Sequence, residues 1–549
     1  MMPALIPVPQ PSYSQARENF VKAIPPKLLC LLACGGADCR YEGPECWKLN
    51  QQAVRGLFSS WVTDDIIAMA RPASHLIEKY NIIEQFQRLN IRSIINMQLP
   101  GEHAHCGPPL DPGSGFTYSP QIFMDNDIYF YNFGMQDFGV SSLVSMIDGV
   151  KVLAFAVREG RVAVHCHAGL GRTGVLIACY LIYTLRISPS EAVHYVRIKR
   201  PRSIQTRAQL SQVSDFARLL GTQLVQYPDL SMRHGAPFTL QHYLNRQAIM
   251  LHGQEARTLR HTPKVVYLLC VHLSCLALGL PAPPEIQAEL EKRSVLRTLN
   301  RTVRETLVCK QYLPLLREGH RGAWVSSGSV SSWDEPMGFL ERKREFCRNP
   351  HYPGSTSVAR AVAKAMADHG LRGETILQRS DLLQVKNSNT RNSNTRTFHI
   401  LILTSEATNL MLSTSLKQEE LNSSDCGWAL LVTESDPQVL SCLLWTWLEK
   451  LREPVLSPED VTRLSCGANI RKSLSVLNKR HTIYCLLSCV STVTSLCPHR
   501  EDAVLQRLAR ALTRVGSIAA LMKVLKANLR ETFHNSTYLR RACSTNSAL

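Results

Sequence analysis

The chain has 549 residues, of which 45% are hydrophobic and 19% are charged. This composition is that of a globular protein, and the length is too great for one hydrophobic core, so we expect roughly two to four domains. The 62 lysines and arginines outnumber the 44 aspartates and glutamates, and the net charge of +18 favours anionic partners such as phosphoproteins, nucleic acid or acidic lipid surfaces.

Residues 1–55 are predicted to form an N-terminal extension that contains four cysteines, Cys30, Cys34, Cys39 and Cys46. No basic stretch followed by an apolar run opens the chain, so we expect no secretion signal and reduced thiols. The cysteine cluster raises the question of a zinc site, but the paired C-x2-C spacing common in such sites is missing. We therefore predict a capping segment with reduced thiols, and no metal or other cofactor.

Residues 56–225 alternate between strand-like and helical stretches, which predicts an α/β domain with a central sheet flanked by helices. Short runs rich in β-branched and aromatic residues predict buried strands at residues 91–97, 128–133 and 161–166. Apolar periodicity predicts helices at residues 74–89, 141–159, 174–185 and 188–199.

The remainder is predicted to be mostly helical, with flexible linkers. Candidate helices at 240–259, 264–280 and 286–308 belong to a helical extension, residues 230–315. Residues 316–400 are assigned to a linker region because 322–338 and the tandem copy at 387–396 are poor in apolar residues. A helical domain at 401–535, clearest in 437–533, precedes a tail at 536–549.

A membrane span is not predicted anywhere in the chain. The longest apolar run, residues 265–280, is shorter than the roughly 20 residues that a span needs. It also contains His272 and Ser274, so we interpret it as a buried helix.

The stretch HCHAGLGRTG, residues 165–174, lies between the third predicted strand and a helix. Backbone N–H groups at the start of such a helix converge with its dipole on a bound anion, and Gly169 and Gly171 permit the tight curvature. The same field favours the thiolate of Cys166, while the planar guanidinium of Arg172 can hold two phosphoryl oxygens. The pattern predicts attack of Cys166 on a phosphate ester, giving a cysteinyl-phosphate that water hydrolyses.

Two other interpretations of Cys166 explain the pattern less well. His165, Cys166 and His167 suggest a metal site, but successive residues at a strand end point in opposite directions and do not converge easily on one ion. A buried structural cysteine would leave the glycines and Arg172 unexplained.

The leaving oxygen also needs a proton donor. Asp137 follows a predicted strand and precedes a helix, so we predict that it lies on a loop at the rim of the sheet and acts as the general acid. Asp125, Asp127 and Asp148 are competitors, but Asp127 should precede its strand and Asp148 lies within a predicted helix. The alternative for Asp137 is an aspartate that serves only a turn. Thr173 could hydrogen-bond the cysteine sulfur or cap the helix.

The spacing His165-Cys166-x5-Arg172-Thr173 matches the signature of the cysteine-dependent protein tyrosine phosphatase superfamily. The fuller HCHAGLGRTG resembles the subgroup that contains the cell-division-cycle dual-specificity phosphatases and the tensin-like lipid phosphatases. The resemblance implies a four- or five-stranded sheet flanked by helices, and hydrolysis without a metal. Further stretches, residues 59–74, 94–107 and 239–264, resemble one narrower family of these phosphatases.

The resemblance also implies roles for individual residues. Cys166 is the implied nucleophile, Arg172 the phosphate clamp and Asp137 the general acid. Gln209 best matches a glutamine that such enzymes hold near the attacking water, with Gln205 second. Met135 stands where close relatives are expected to carry Trp, which bears on how the acid loop closes. The implied phosphate cradle consists of the main-chain amides of His167, Ala168, Gly169, Leu170, Gly171 and Arg172.

The expected substrates are phosphorylated proteins. The phosphotyrosine-recognition loop that deepens the cleft of tyrosine-specific enzymes has no match here, so a shallower, dual-specificity site is expected. The side chain of His167 is predicted to face the substrate rim. The basic residues beyond it either favour phosphoinositides and acidic phosphopeptides or form a solvated face; these are Arg197, Lys199, Arg200 and Arg202.

The expected function is hydrolysis of phosphotyrosine, extending to phosphoserine and phosphothreonine. A phosphoinositide phosphatase and a weakly active, phosphate-binding adaptor are the alternatives. The residues do not identify the protein partner of the C-terminal helical region. The resemblance implies a role in cilium formation or maintenance, and a cytoplasmic location is expected, with centrosome, cilium or nucleus as further options.

Overall fold

A computed structural model describes residues 8–228, 238–281, 283–310, 408–423, 426–466, 479–495, 498–514, 519 and 521–529. The predicted linkers at 322–338 and 387–396 and the tail at 536–549 lie outside the described residues. The described residues divide into two compact units: unit 1 is drawn from residues 1–223, 249–257 and 294–326, and unit 2 from the rest. The domain boundaries expected from the sequence stay predictions.

Unit 1 is built on a five-stranded sheet with the strand order β1-β2-β5-β3-β4. Strand β1 is antiparallel to β2, whereas β2, β5, β3 and β4 are parallel neighbours. The carboxyl ends of the four parallel strands therefore meet at one edge of the sheet, and the loops that follow them collect there. The strands are β1 Ser59–Trp61, β2 Ile66–Met69, β3 Ile91–Asn96, β4 Tyr129–Asn132 and β5 Arg161–His165.

The sheet confirms the predicted α/β fold class and the three predicted strands, β3, β4 and β5. Strands β1 and β2 were not predicted, because three and four residues are too few to show a strand period. The predicted helix at 74–89 is two helices, since Asn81 interrupts it with a left-handed φ of 50°. The predicted helix at 240–259 is likewise two helices.

The helix after β5 begins at Gly171, three residues earlier than predicted, and is buried along most of its length. It packs against the helices before and after it, so its apolar residues face protein on nearly every side. The next helix starts with a capping box in which Ser188 and Glu191 satisfy each other's backbone N–H groups.

The described helices of the first half of the chain are α1 Gln15–Ala23, α2 Pro26–Cys34, α3 Ser74–Lys79, α4 Ile82–Arg88, α5 Gln121–Met124, α6 Leu143–Glu159, α7 Gly171–Leu185, α8 Pro189–Lys199, α9 Arg207–Gln223, α10 Leu240–Met250, α11 Gly253–Thr258 and α12 Lys264–Leu278. Those of the second half are α13 Pro284–Cys309, α14 Thr408–Ser423, α15 Cys426–Val432, α16 Pro437–Glu449, α17 Pro458–Cys466, α18 Arg480–Ser495 and α19 Glu501–Thr513. Among the described residues no helix combines the length and the apolar character needed to cross a bilayer.

Unit 2 is helical, as the sequence predicts for the C-terminal region. Its core centres on Trp447, whose side chain is fully buried and whose indole N–H donates to the carbonyl oxygen of Gln226 at 3.0 Å. The ring of Tyr243 packs edge-on against that indole, with the ring centres 5.2 Å apart. A buried indole with a satisfied N–H supplies a large apolar area without an unpaired polar group.

The loop after β5 lies directly on the end of β2, and Gly169 makes this approach possible. Its φ is +65°, and a methyl group on it would overlap the carbonyl oxygen of Met69. Gly101 has φ +86°, but nothing lies within 4 Å of the position that its Cβ would take.

We therefore expect Gly169→Ala to lower the free energy of unfolding of the full chain by about 1–3 kcal/mol more than Gly101→Ala. Both variants carry the left-handed backbone penalty of about 1–2 kcal/mol, but only Gly169→Ala adds a steric overlap. Urea unfolding, followed by a probe within unit 1, measures the difference. Equal losses in the two variants would show that the loop does not need the close approach.

Candidate active site

Four loops meet at the carboxyl edge of the parallel strands, and each carries polar residues. The loop after β2 supplies Arg71, the loop after β3 supplies Glu102, and the loop after β4 supplies Asp137. The loop after β5 runs from Cys166 to Leu170 and continues into α7, whose second residue is Arg172. Because the strands are parallel neighbours, residues far apart in the sequence come within hydrogen-bonding distance here.

The beginning of the β5 loop is held by His165. Its Nδ1 lies 3.0 Å from the carbonyl oxygen of Cys166, and its Nε2 lies 2.7 Å from the hydroxyl of Tyr118. Burial lowers the pKa of His165 to about 3, so the ring is neutral. Since a carbonyl only accepts, Nδ1–H donates to it, and Nε2 accepts from the hydroxyl of Tyr118. These two contacts fix the ring of His165 beside the buried thiol of Cys166.

The guanidinium of Arg172 binds the ends of two other strands. Its Nη1 donates to the carbonyl oxygen of Met135 at 2.7 Å and to Glu102 Oε2 at 2.8 Å. Its Nη2 lies 2.6 Å from Glu102 Oε1 and 3.1 Å from Asp137 Oδ1. Arg172 is 1% exposed, so both carboxylates compensate a charge that is almost fully removed from water.

Asp137 lies at the site, as predicted, and is held between two cations. Its Oδ1 faces Arg172, and its Oδ2 lies 3.0 Å from Nε2 of His103. Burial by itself raises the pKa of Asp137, but the charges of Arg172 and His103 outweigh burial and hold that pKa well below its usual range. The carboxyl group is therefore ionised before any substrate binds.

The unusual Met135 contributes through its backbone. Its carbonyl oxygen accepts from Arg172, and its N–H donates to the carbonyl oxygen of Met97 at 3.1 Å. The side chain itself is buried in the core beneath the sheet edge. An apolar residue other than Trp can therefore serve at this position without loss of the main-chain contact.

Arg200 supports the loop from behind and does not face substrate. It donates to the carbonyl oxygens of Gly169, Ala168 and Phe58 at 3.0, 3.0 and 3.1 Å, and to the hydroxyl of Ser60 at 3.1 Å. It is 1% exposed, which makes both sequence-based interpretations wrong for this residue: it is neither a solvated charge nor a substrate contact.

The side chain of His167 is buried, so the prediction that it faces an open substrate rim is also wrong. Its Nε2 lies 3.4 Å from Cys39 Sγ and 3.8 Å from Glu42 Oε1, both in the N-terminal extension. Its ring stacks on that of His103, with the ring centres 4.1 Å apart. The extension covers this side of the loop, and the sequence did not show which loop it would cover.

Two glutamines border the start of α7. A methyl group on Gly171 would lie 2.8 Å from Gln205 Oε1 and 3.0 Å from Gln209 Nε2. Gln209 Oε1 accepts from the backbone N–H of Gln205 at 2.8 Å, while its Nε2 is buried without a hydrogen-bond partner among the described residues. This nitrogen can therefore donate to a water or a phosphoryl oxygen above the loop.

Thr173 is the third residue of α7 and does not cap it, since Leu170 takes the N-cap position. Its hydroxyl is buried and has no hydrogen-bond partner within the part of the chain that the structure describes. Neither of its two predicted hydrogen bonds, to the cysteine sulfur or as a cap, is therefore formed here.

Sequence reasoning missed Glu102 and Arg71 as site residues. Glu102 pairs with Arg172, and Arg71 donates to Glu42 Oε1 at 2.5 Å. Both residues follow a parallel strand by a few positions, which is the one local signal that could have indicated them. That signal requires knowing that β2 and β3 flank β5 in the sheet.

Comparison with known proteins agrees with this geometry. The family model described as dual specificity phosphatase, catalytic domain matches residues 77–218. Protein tyrosine phosphatase domain-containing protein 1 of Danio rerio is 34% identical to this chain, and the match covers 93% of this chain and 90% of the relative. The protein of the same name from Mus musculus is 31% identical, with 98% and 95% covered. The narrower family resemblance expected from the sequence is thereby confirmed.

Among solved structures, a crystal structure of Tk-PTP in the active form is 20% identical to this chain. The match covers 29% of this chain and 96% of that one, with a TM-score of 0.25.

We expect Arg200→Lys to lower kcat/KM for an aryl phosphate by up to about 100-fold, because a single ammonium cannot hold carbonyl groups on both sides of the loop. Arg202→Lys is the matched control, since Arg202 is exposed and two residues away. Steady-state kinetics of the two variants test this. Equal kcat/KM in Arg200→Lys and Arg202→Lys would show that the loop keeps its shape without the guanidinium of Arg200.

Proposed function

The chain belongs to the family of protein tyrosine phosphatase domain-containing protein 1, and we propose that it hydrolyses phosphotyrosine, phosphoserine and phosphothreonine in protein substrates through a cysteinyl-phosphate on Cys166. That it is a cysteine-based phosphatase rests on the matched catalytic domain. The observation that supports the residue roles is the 3.1 Å approach of Asp137 to Arg172 beside the Cys166 loop. A loop that only bound phosphate would not need a carboxyl group at this place.

Phosphate binding is the first step of the proposed mechanism. The backbone N–H groups of the loop, the start of α7 and the guanidinium of Arg172 together attract a dianion. Arg172 Nε is buried without a hydrogen-bond partner among the described residues, so it can donate to a phosphoryl oxygen. Glu102 holds the guanidinium in place on its opposite nitrogens.

The bound dianion also changes the protonation of the general acid, Asp137. In the ligand-free site Arg172 keeps Asp137 ionised, but a phosphate takes up part of that positive charge and adds negative charge beside the carboxyl group. Both effects raise the pKa of Asp137, because a like charge disfavours ionisation. As substrate binds, Asp137 therefore takes up a proton from solvent, and this is the proton that the leaving oxygen needs.

The proposed chemistry has two steps, formation of the cysteinyl-phosphate and its hydrolysis. Cys166 Sγ forms a bond to phosphorus while the bond from phosphorus to the ester oxygen breaks, and Asp137 gives its proton to that oxygen. A water next attacks phosphorus and gives a proton to Asp137 as the S–P bond breaks, which releases inorganic phosphate and the thiolate. In this proposal Gln209 orients that water through its Nε2, which is buried without a hydrogen-bond partner among the described residues.

The same chemistry would serve a phosphoinositide phosphatase, and a weakly active adaptor would keep only the binding step. The protein substrate is favoured because Arg200, the most deeply placed of the predicted basic residues, is used inside the fold and is not free for a highly charged headgroup. The role in cilium formation or maintenance is proposed from the family resemblance alone. Action in the cytoplasm, with centrosome, cilium or nucleus as further options, is proposed with it.

We expect Cys166→Ser to reduce hydrolysis of phosphopeptides to below about one-thousandth of the wild-type rate, since the serine hydroxyl is not ionised at neutral pH. Cys46→Ser, which alters an exposed thiol, is the control and should retain full activity. Phosphate release from phosphotyrosine, phosphoserine and phosphothreonine peptides and from phosphoinositide vesicles is measured in parallel. Hydrolysis of the lipids alone would show that the substrate is a phosphoinositide and not a protein. Wild-type protein that hydrolyses neither would contradict the proposal of phosphatase activity.

Asp137 and Glu102 should respond differently to the leaving group. Asp137→Ala is expected to slow release of tyrosine by about 100-fold or more, and release of an acidic phenol far less, because only the basic leaving group needs a proton. Glu102→Ala should slow both esters by a similar factor, since Glu102 positions Arg172 and does not move the proton. A leaving-group dependence in Glu102→Ala, or none in Asp137→Ala, would contradict these roles.

A further inference from the structure

Cysteine and histidine side chains gather beside the β5 loop, at a place that the proposed reaction does not use. Cys30 and Cys34 belong to α2, and Cys106 and His103 belong to the loop after β3. The three thiols are buried. Helix α2 presents its two cysteines on one face, because residues four apart in a helix lie one turn above each other.

The donor atoms of Cys30, His103 and Cys106 all lie within 4.8 Å of one another, and Cys34 joins this set through Cys106. Cys34 Sγ is 3.4 Å from Cys106 Sγ, and His103 Nδ1 is 3.7 Å from Cys30 Sγ and 3.8 Å from Cys106 Sγ. In a tetrahedral zinc site with Zn–S bonds of about 2.3 Å and Zn–N bonds of about 2.0 Å, neighbouring donor atoms lie about 3.5–3.8 Å apart. We propose that Cys30, Cys34, Cys106 and His103 bind one Zn²⁺ ion.

The local backbone suits this ligand set. Gly35, with φ +108°, ends α2 directly after Cys34, so the chain changes direction there. His103 and Cys106 form a tight turn in which the N–H of Cys106 donates to the carbonyl oxygen of His103 at 3.0 Å. The ligands are thus two pairs, C-x3-C on a helix and H-x2-C on a turn, and each pair is local in the sequence.

Groups around the ligands support the assignment. Arg71 Nη2 donates to the carbonyl oxygen of Cys106 at 2.6 Å and to that of His103 at 3.4 Å, which holds the turn in place. His103 Nε2 faces Asp137 Oδ2 at 3.0 Å, so its Nδ1 is the nitrogen that points at the sulfurs. A zinc-bound histidine commonly pairs its other ring nitrogen with a carboxylate in this way.

Zinc also explains why so many thiols share one buried place. Burial disfavours each thiolate by itself, whereas a divalent cation compensates their negative charge. On binding, each of the three thiols loses its proton to solvent, and the imidazolium of His103 also loses a proton, so that Nδ1 can supply its lone pair to the ion. Four protein ligands leave no open position on the ion, so the site is structural and joins the N-terminal extension to the loop after β3.

Other arrangements of the same side chains are possible and are separated by experiment. Cys30, His103 and Cys106 form one set whose donor atoms lie within 4.8 Å of one another, Cys34 and Cys106 form a second with His167, and Cys39 forms a third with His167 and Glu42. In the proposed site Cys34 completes the first set, which places His103 and not His167 beside it. His103 is preferred because one of its nitrogens lies within 4 Å of two sulfurs. Reduced thiols that pack as small apolar groups are the remaining alternative.

The test measures metal in the purified full-length chain by mass spectrometry. We expect about one zinc per chain in the wild type, and less than about one-tenth of that in a Cys30→Ser, Cys34→Ser double variant. Cys46→Ser, in the same extension but exposed, should bind zinc like the wild type. Wild-type protein without zinc, both as purified and after exposure to Zn²⁺, would overturn the proposal.

Because the double variant could fail to fold, the wild type is also stripped with a chelator and titrated with Co²⁺. The expected result is the absorption of tetrahedral, thiolate-bound cobalt, and octahedral or absent cobalt absorption would contradict the site. His103→Ala should release zinc to the chelator sooner than His167→Ala or Cys39→Ser. Loss of zinc in Cys39→Ser or His167→Ala but not in His103→Ala would overturn this ligand set.

These experiments can contradict the zinc site and the proposed reaction independently of each other. Cys166→Ser should be inactive yet hold as much zinc as the wild type, since Cys166 is not among the ligands. Zinc in an inactive wild type would contradict only the proposed function. Phosphatase activity in a chain that binds no metal would contradict only the zinc site.

Discussion

The buried guanidinium of Arg172 links the loop after β5 to the loops after β3 and β4, and the rest of the site is arranged around it. An arginine removed from water needs compensating acceptors, and here Glu102, Asp137 and the carbonyl oxygen of Met135 supply them. The ligand-free site therefore neutralises itself. In the proposed reaction the phosphate dianion binds Arg172 as well. The attraction between Arg172 and Asp137 is then weakened more than that between Arg172 and Glu102.

The N-terminal extension takes part in this arrangement and is more than a passive cover. Tyr13 exchanges hydrogen bonds with Gln205, through the backbone at 2.9 Å and through its hydroxyl at 3.2 Å. Its ring also packs near that of Phe138, next to Asp137. Farther along, Glu42 pairs with Arg71 beneath the loop. Contacts from one segment thus reach the acid loop, the glutamine region and the back of the phosphate loop.

The proposed zinc ligands, Cys30, Cys34, Cys106 and His103, form a further contact between the N-terminal extension and the site. If Zn²⁺ joins α2 to the turn at His103, then the ring of His103 is fixed on one side by the metal and on the other by Asp137. The position of the acid then depends on the metal through one imidazole. This dependence holds only if Asp137 is the general acid, as proposed. The zinc site itself does not require that role.

Features that depend on neighbouring residues were determined by the sequence itself. The runs of β-branched residues that form β3 and β5, and the thiol, glycines and arginine of residues 165–174, all act within a few residues of one another. The position of Asp137 between a strand and a helix belongs to the same class, and the structure places it beside Arg172 as expected. The roles of these residues in the reaction stay predictions.

Only the tertiary structure decided which distant residues meet. The parallel order β2-β5-β3-β4 brings Arg71, Glu102 and Asp137 to one edge, and no spacing in the sequence encodes that order. The same holds for burial: Arg200 and His167 look like surface residues in the sequence but lie beneath other segments. Cys106 and His103 join Cys30 and Cys34 for the same reason, since donor atoms converge through chain folding and not through sequence separation.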